Sequence, residues 1–457
     1  MTPEEARTAE RSSTEKETMF EGVPLELTGS AAPGEISGLT DHLFRTEAGR
    51  LVSVLTGIFG IDRLQMAEDV VQESMARALQ TWPYYGVPKN PAAWLTQTAK
   101  NLALDLIRRE KVFQAKQPQI IAYVEQWSDT RLESAAFENE IKDGRLRLMF
   151  ACCHPLIPAD SQIALALKTL CGFSPAEIAK AFLASEAAIN KRLTRARQKI
   201  RELRVRFEIP AGEEIPVRLE GVLQTLYLLF NEGYKASSGE SLIREELCRE
   251  AIQLVTLLAA HSVGNQPRVH ALAALMLLNG SRLPARTDSE GNILRLQEQD
   301  RTKWDRSMVA RGLFHLAHSA TGDDLSSYHL QAGIAAVHCA GKDFESTDWG
   351  QILSLYDRLI EIDDSPVAAL NRAVAVAQVR GARAGIQAIE NIRHQQMLES
   401  YYLLYAVLAE FECRLNDFKS AAANLRRALD FTNVSAERTL LSKKLASCRS
   451  ALPHLDL

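Results

Sequence analysis

Apolar residues return every three or four positions along most of this chain, which predicts helices almost throughout. Phe44, Ala48, Leu51, Leu55 and Ile58 share one face of a first amphipathic helix. A second helix is expected from about Gln65 to Leu79, a loop is marked by Pro83, Gly86, Pro88 and Pro91, and a third helix runs from about Ala92 to Arg109. Residues 111–136 are polar and weakly patterned, as in a linker. Helical spacing resumes near Phe137 and lasts to about Phe207; Pro210, Gly212 and Pro216 then mark a boundary. From Val217 onward nearly every apolar run is helical and strand signals are almost absent, so the chain reads as all-α. The first 36 residues, rich in Glu, Thr, Ser, Gly and Pro, lack periodicity and are expected to form a disordered tail.

A length of 457 residues implies two to four domains. The net charge of −4 argues weakly against a nucleic-acid binder, because DNA affinity rests on phosphate neutralisation, unless the cations are gathered locally. Seven scattered cysteines are too few for a secreted disulfide framework. No apolar run reaches the roughly 18 residues of a membrane span, and the polar start lacks the apolar core of a signal peptide. A cytoplasmic protein with no membrane partner is expected.

The cations are indeed local. Ser174-Pro175-Ala176-Glu177 opens a short helix with an N-cap, a proline at its first position and a capping-box glutamate. Ile178, Ala179 and Phe182 give its buried side, and Leu183-Ala184 makes the turn. Ser185 then caps a longer helix whose apolar stripe is Ile189, Leu193, Ala196, Ile200 and Leu203. Its other faces carry Glu186, Asn190, Lys191, Arg192, Thr194, Arg195, Arg197 and Lys199. A capped helix, a tight turn and a basic helix make a helix-turn-helix, whose second helix fits the major groove. A helical hairpin with a solvated basic face has the same pattern.

Two N-terminal helices are less specific alone. Asp69, Gln72 and Glu73 form an acidic-polar face opposite Val70, Val71 and Ala78, as many solvated faces do. Trp94, Gln97, Asn101, Asp105 and Arg108 lie on one narrow stripe, with Leu95, Leu102 and Leu106 facing away. An aromatic ring with amides and a cation can stack on and hydrogen-bond to unpaired bases. Equally, Trp94 can be core and Asp105–Arg108 a surface ion pair.

Ala67–Glu73, then Trp94–Arg109, then a linker, then Ser174–Arg197 ending Lys-Arg-Leu-Thr-Arg-Ala-Arg resembles, in order and spacing, the extracytoplasmic-function sigma factors of the sigma-70 family. The resemblance covers roughly residues 40–207. Leu146–Pro155, Gln297–Arg301 with Trp304-Asp305, Tyr328–Ala332, and Ser365–Val367 with Leu370–Ala373 are similar to the subgroup with a C-terminal tetratricopeptide-like domain. The resemblance implies sigma region 2 at 37–110, which binds core RNA polymerase and opens the −10 element of promoter DNA. It implies sigma region 4 at 137–208, which reads the −35 element. Asp69, Gln72 and Glu73 would contact polymerase. The loop Tyr84–Asn90 would hold a flipped base, and Trp94, Lys100, Asn101, Arg108 and Arg109 would lie along the −10 DNA. Glu186 to Lys199 would face the −35 groove, and polymerase would supply the chemistry.

The C-terminal half divides into a helical domain at 217–345 and tetratricopeptide-like repeats at 346–457. A period of 34 residues is faint: Ala375 and Ala409, Arg380 and Arg414, and Ala388 and Ala422 match at that offset. Ile352, Tyr356 and Leu359 fit the second helix of a repeat, with its turn at Asp363-Asp364-Ser365-Pro366. Glu298, Asp300, Arg301, Trp304, Asp305 and Arg306 form a charged cluster around one aromatic, read as an ionic network that ties the domain together. A helical array presents a concave surface to a peptide or another domain, so this half is expected to contact the sigma domains and regulate them. Cys152-Cys153-His154 is read as packed rather than metal-binding, because adjacent cysteines chelate one ion poorly and no second pair stands at zinc-site spacing. No metal, cofactor or catalytic constellation is expected, and hence no enzyme. The competing reading is a one-component helix-turn-helix regulator with a helical sensor domain. Such a protein has no need of the Ala67–Glu73 and Trp94–Arg109 helices.

Overall fold

The computed structural model describes residues 47–109, 135–181, 184–209, 212–235, 243–322 and 324–451. The expected tail, most of the linker, Phe44, Phe182 and Leu183, and the boundary residue Pro210 lie outside them. Two compact units divide the chain, one running to Asn139 and the other containing residues 140–457. The described residues carry helices and no β-strand; an isolated antiparallel bridge joins Thr287 to Ile293.

In the first unit, α1 spans residues 47–59, α2 Leu64–Tyr85 and α3 Pro91–Arg109. Leu51, Leu55 and Phe59 are buried on α1, and Ala67, Val70, Val71, Ala78 and Trp82 on α2. α3 buries Leu95, Ala99, Ala103 and Ile107, one residue per turn, and packs against α2. α2 runs six residues beyond its expected end and contains Pro83. Pro83 removes one donor and crowds the Leu79 carbonyl, but Leu79 lies on an exposed turn, and Gly86 N–H closes the helix on Trp82 O at 2.9 Å. The connecting loop is therefore Gly86–Asn90, and Asn90 caps α3 by accepting from Ala93 N–H at 3.0 Å.

α4 (Ala135–Cys152) starts in the first unit and belongs to the second from Glu140 onward, where α5 (Ala159–Cys171), α6 (Pro175–Ala181) and α7 (Glu186–Leu203) follow. The C-terminal extension follows with α8 (Glu214–Tyr234), α9 (Glu245–Ala260), α10 (Pro267–Gly280), α11 (Arg306–Ser319) and α12 (Ser327–Ala340). It ends with α13 (Trp349–Ile362), α14 (Pro366–Arg380), α15 (Ala382–Glu390), α16 (Tyr402–Arg414), α17 (Phe418–Asp430) and α18 (Ser435–Ala451). From α8 onward each helix packs against the next. α10 is mostly apolar beyond its first turn and almost wholly buried, with Leu272, Met276 and Leu277 fully enclosed, and both α11 and α12 pack on it.

The 34-residue signal corresponds to the hairpins α14–α15 and α16–α17. Ala375 and Ala409 are each 1 % exposed, at like places in the first helix of each pair. The spacing is not strict, since these first helices start at Pro366 and Tyr402. The expected turn stands where the pattern put it: Ser365 accepts from Ala368 N–H at 3.4 Å and Pro366 opens α14.

The segment around Trp304 is held by neutral oxygens and ring contacts rather than by the expected ionic network. Arg301 is buried; its Nη1 donates to His338 O (2.7 Å) and Gly341 O (2.9 Å) at the end of α12, and its Nη2 to Thr347 Oγ1 (2.8 Å). Trp304 lies under both Arg301 and Arg282, with ring centroid distances of 5.0 and 5.3 Å. Asp305 caps α11 through Met308 N–H at 2.9 Å.

Candidate nucleic-acid and polymerase interface

α6 and α7 take the helix-turn-helix arrangement through their caps. Ser174 N–H and Oγ–H both donate to Glu177 Oε2 at 2.9 and 2.8 Å, and Glu177 N–H returns to Ser174 Oγ at 3.2 Å. Ser185 Oγ accepts from Ala188 N–H at 3.2 Å and starts α7. Ile189, Leu193, Ala196 and Ile200 are buried against α5 and α6, while Leu203 is half-buried near the end.

The opposite side of α7 exposes Glu186, Asn190, Lys191, Thr194 and Arg195. The other predicted residues stand at its flanks and are half-buried. Arg192 pairs with Asp160 of α5 at 3.7 Å, Lys199 pairs with Glu202 at 3.7 Å, and Arg197 leans into the domain. Gln198 and Arg201 also lie on the exposed side and were missed. Carrying the exposed register of Asn190 and Thr194 forward by whole turns would have found them.

On α2, Asp69, Gln72 and Glu73 are exposed together, and Glu73 also reaches Arg77 at 3.0 Å. On α3, Asn101, Asp105, Arg108 and Arg109 are exposed and Gln97 is half-exposed. Gln97 Nε2 donates to Asn101 Oδ1 at 3.1 Å, and Arg108 stands 3.9 Å from Asp105. Trp94 is half-buried and meets Trp82 edge-on with ring centroids 5.5 Å apart. The buried Trp82 thus holds Trp94 in place. Lys100 departs from the stripe and is only 4 % exposed. At about 100° per residue it sits roughly a quarter-turn from Asn101, on the flank of the buried row. Tyr84 and Tyr85, expected in the loop, end α2 instead, 85 % and 67 % exposed.

Cys152 and Cys153 are fully buried at the end of α4. Burial pushes the Cys153 thiol up to about 12, so it stays protonated and inert. The loop after it is held by Gln162, whose Nε2 donates to His154 O (2.9 Å) and Ile157 O (2.7 Å). Gly221 of α8 lies over this loop: a Cβ there would stand 2.6 Å from Gln162 Oε1 and 3.3 Å from Cys153 Sγ. Arg145 of α4 forms an ion pair with Glu250 of α9. Among the described residues no cluster of three His, Cys, Asp or Glu is placed to hold a metal, and no helix is long and apolar enough to cross a membrane.

Comparison with known proteins places the helices that carry these residues. Residues 43–112 match the model of sigma-70 region 2, and residues 147–200 match that of sigma-70 region 4. Residues 218–320 match a family of unknown function. An uncharacterized protein of Rhizobium meliloti is 35 % identical over 382 residues, covering 84 % of this chain and 90 % of its own. No solved structure matches the chain.

Proposed function

We propose, from the premise that this chain belongs to the sigma-70 family as a transcription initiation factor of the extracytoplasmic-function type with a C-terminal extension, how its surfaces divide the work. Asp69, Gln72 and Glu73 bind core RNA polymerase. Trp94, Asn101, Arg108 and Arg109 line the separated −10 strand, with Tyr84 and Tyr85 offering two further stacking faces beside it. Lys100 joins them only by swinging out of its buried place. Glu186, Asn190, Lys191, Thr194 and Arg195 read the −35 major groove, while Arg192, Arg197 and Lys199 reach phosphates from its edges. No catalytic group is needed, because the polymerase makes the bonds; the protein acts in the cytoplasm, where that enzyme is.

The observation that carries this reading is the pairing of an exposed cationic helix-turn-helix face with an aromatic-amide stripe on a separate helical unit. A repressor needs only the first. In the same reading the extension regulates promoter recognition through α8 and α9, which bear on the hairpin that positions α7. Arg244–Glu177 and Gly221 over Cys153 support it.

Reconstitution with core polymerase on a promoter library tests the reading. Promoter-specific transcripts that depend on the chain are expected, and Asn101→Ala and Arg195→Ala should each reduce them at least tenfold. Specific duplex binding without core, together with no transcripts, would instead identify an operator-binding regulator.

A further inference from the structure

The extension holds a cleft, open to solvent on one side, of about 420 Å³, within the range of small-molecule sites. The hairpin at residues 286–297 forms one wall, and α14, α16 and α18 form the others. Its apolar surface comes from half-buried side chains such as Leu296, Trp349, Val374, Leu403, Val407 and Leu440. These side chains face space that neighbouring helices leave unfilled, so a ligand with an apolar body gains by burying them.

The charges in this cavity are unbalanced. Five cations line it, namely Lys235, Arg286, Arg295, Arg414 and Lys444, against two carboxylates, Glu410 and Glu437. Glu437 is buried and fully engaged by Lys235 at 3.5 Å, by Tyr402 and by Thr432 at 2.5 Å. On the other side three cations converge on Glu410: Lys444 at 2.6 Å, Arg295 at 3.2 Å and Arg414 at 3.6 Å. Arg295 has a second carboxylate in Glu298 at 2.6 Å. Arg414 has none; its terminal nitrogens stand 3.2 Å from the neutral side-chain amide of Gln378. The chain as a whole is acidic, with net charge −4, so this excess of cations is local.

We propose that this cavity binds a small amphipathic acid, with its carboxylate between Arg414 and Lys444 and its hydrocarbon or aryl body against Trp349, Leu403 and Val407. Lys444 and the guanidinium of Arg414 already grip a carboxylate of their own chain, which is the chemistry such a head group needs. The apolar walls supply affinity, and the unbalanced cations select the anion over a neutral analogue. The extension thereby becomes a ligand-sensing part of the molecule. Binding itself does not depend on the promoter-recognition reading, since it is measured without polymerase or DNA.

Isothermal titration of the full-length protein with decanoate, decan-1-ol and inorganic phosphate tests the proposal. Decanoate is expected to bind saturably at one site, at least tenfold more tightly than either control, and to raise the melting temperature by linkage. Arg414→Gln should weaken decanoate at least tenfold and leave decanol unchanged, and Lys444→Met should do the same. Val407→Trp, which fills the cavity, should abolish binding of both. Circular dichroism melts of each variant confirm folding. Equal affinity for decanoate and decanol, phosphate binding as tight as decanoate, or undiminished binding to the folded Arg414→Gln, Lys444→Met and Val407→Trp variants would each overturn it.

Discussion

Arg244, which precedes α9, donates from Nη1 to Oε1 of Glu177 at 3.2 Å, while the other oxygen of that carboxylate closes the capping box on Ser174. The capping-box glutamate of the first helix of the helix-turn-helix is thus shared with the extension. Glu232 of α8 joins from the far side, 3.4 Å from the same Arg244 nitrogen. The Arg244 and Glu177 side chains are 16 % and 17 % exposed, so loss of the cation leaves two partly desolvated carboxylates facing one site.

Arg244→Met should therefore lower stability by about 2 kcal/mol, read from urea midpoints of the full chain. Glu177→Gln keeps a capping acceptor and should cost less. If the extension regulates through this contact, both variants also change the yield of promoter-specific transcripts at fixed polymerase concentration. An unchanged yield from folded variants would limit the contact to stability.

Arg195 and Arg192 are three residues apart and carry the same charge, yet they have different surroundings. Arg195 is exposed on the outer face of α7, whereas Arg192 is half-buried and held by Asp160. Arg195→Ala should weaken −35 duplex binding by about 1–3 kcal/mol and relax preference at one base pair if it meets a base edge. Arg192→Ala should weaken all sequences alike and reduce the salt slope by about one phosphate. Fluorescence anisotropy across a salt series, on promoter and scrambled duplexes, separates the two outcomes.

The helix-turn-helix was legible because its signals are local. Ser174, Glu177 and Ser185 make their caps within three residues, and the stripe from Ile189 to Ile200 has to be buried whatever packs on it. Lys100 comes from the family resemblance alone, and its angle on α3, beside the buried row, sets it apart from the exposed stripe. Tyr84 and Tyr85 were assigned to the loop because Pro83 reads as a helix breaker, although a proline near a helix end costs one exposed hydrogen bond. The shared Glu177 and the cavity were invisible for another reason. Arg244 meets Glu177 across 67 positions of sequence, and Arg295 meets Glu410 across 115. No periodicity carries such information; it appears only once the helices are stacked.

Trp82 and Trp94 divide support from contact. Trp82 is 1 % exposed and fills the space between α2 and α3, so Trp82→Ala should cost about 3–5 kcal/mol of unit stability. Trp94→Ala removes a half-buried ring and an aromatic pair of about 0.5–1.5 kcal/mol beyond its buried area, a smaller loss. The functional ranking should differ from the structural one. With folded protein in excess, Trp94→Ala is expected to bind core polymerase normally but to open promoters poorly. Permanganate reactivity of −10 thymines measures that opening. Normal reactivity with Trp94→Ala would remove Trp94 from the −10 contact.

His338 gives the extension a pH dependence whose sign follows from its surroundings. Burial, reinforced by the nearby guanidinium groups of Arg282 and Arg301, pushes its imidazole from the usual 6.5 down to about 3. The unfolded chain takes up this proton near pH 6.5, whereas the folded chain does so only near pH 3. Protonation therefore favours the unfolded state throughout that window. The contribution is fully present above pH 6.5 and is lost as the pH falls, by up to about 1.4 kcal/mol per unit. His315, lowered by burial and His270 to about 4, adds a similar slope. His338→Leu removes one of these two proton traps and keeps an apolar side chain beside Trp349, 5.4 Å from the ring it replaces. The variant should lose less stability than the native chain between pH 7 and pH 4.5 in urea titrations. Identical slopes would mean that His338 titrates normally in the folded protein.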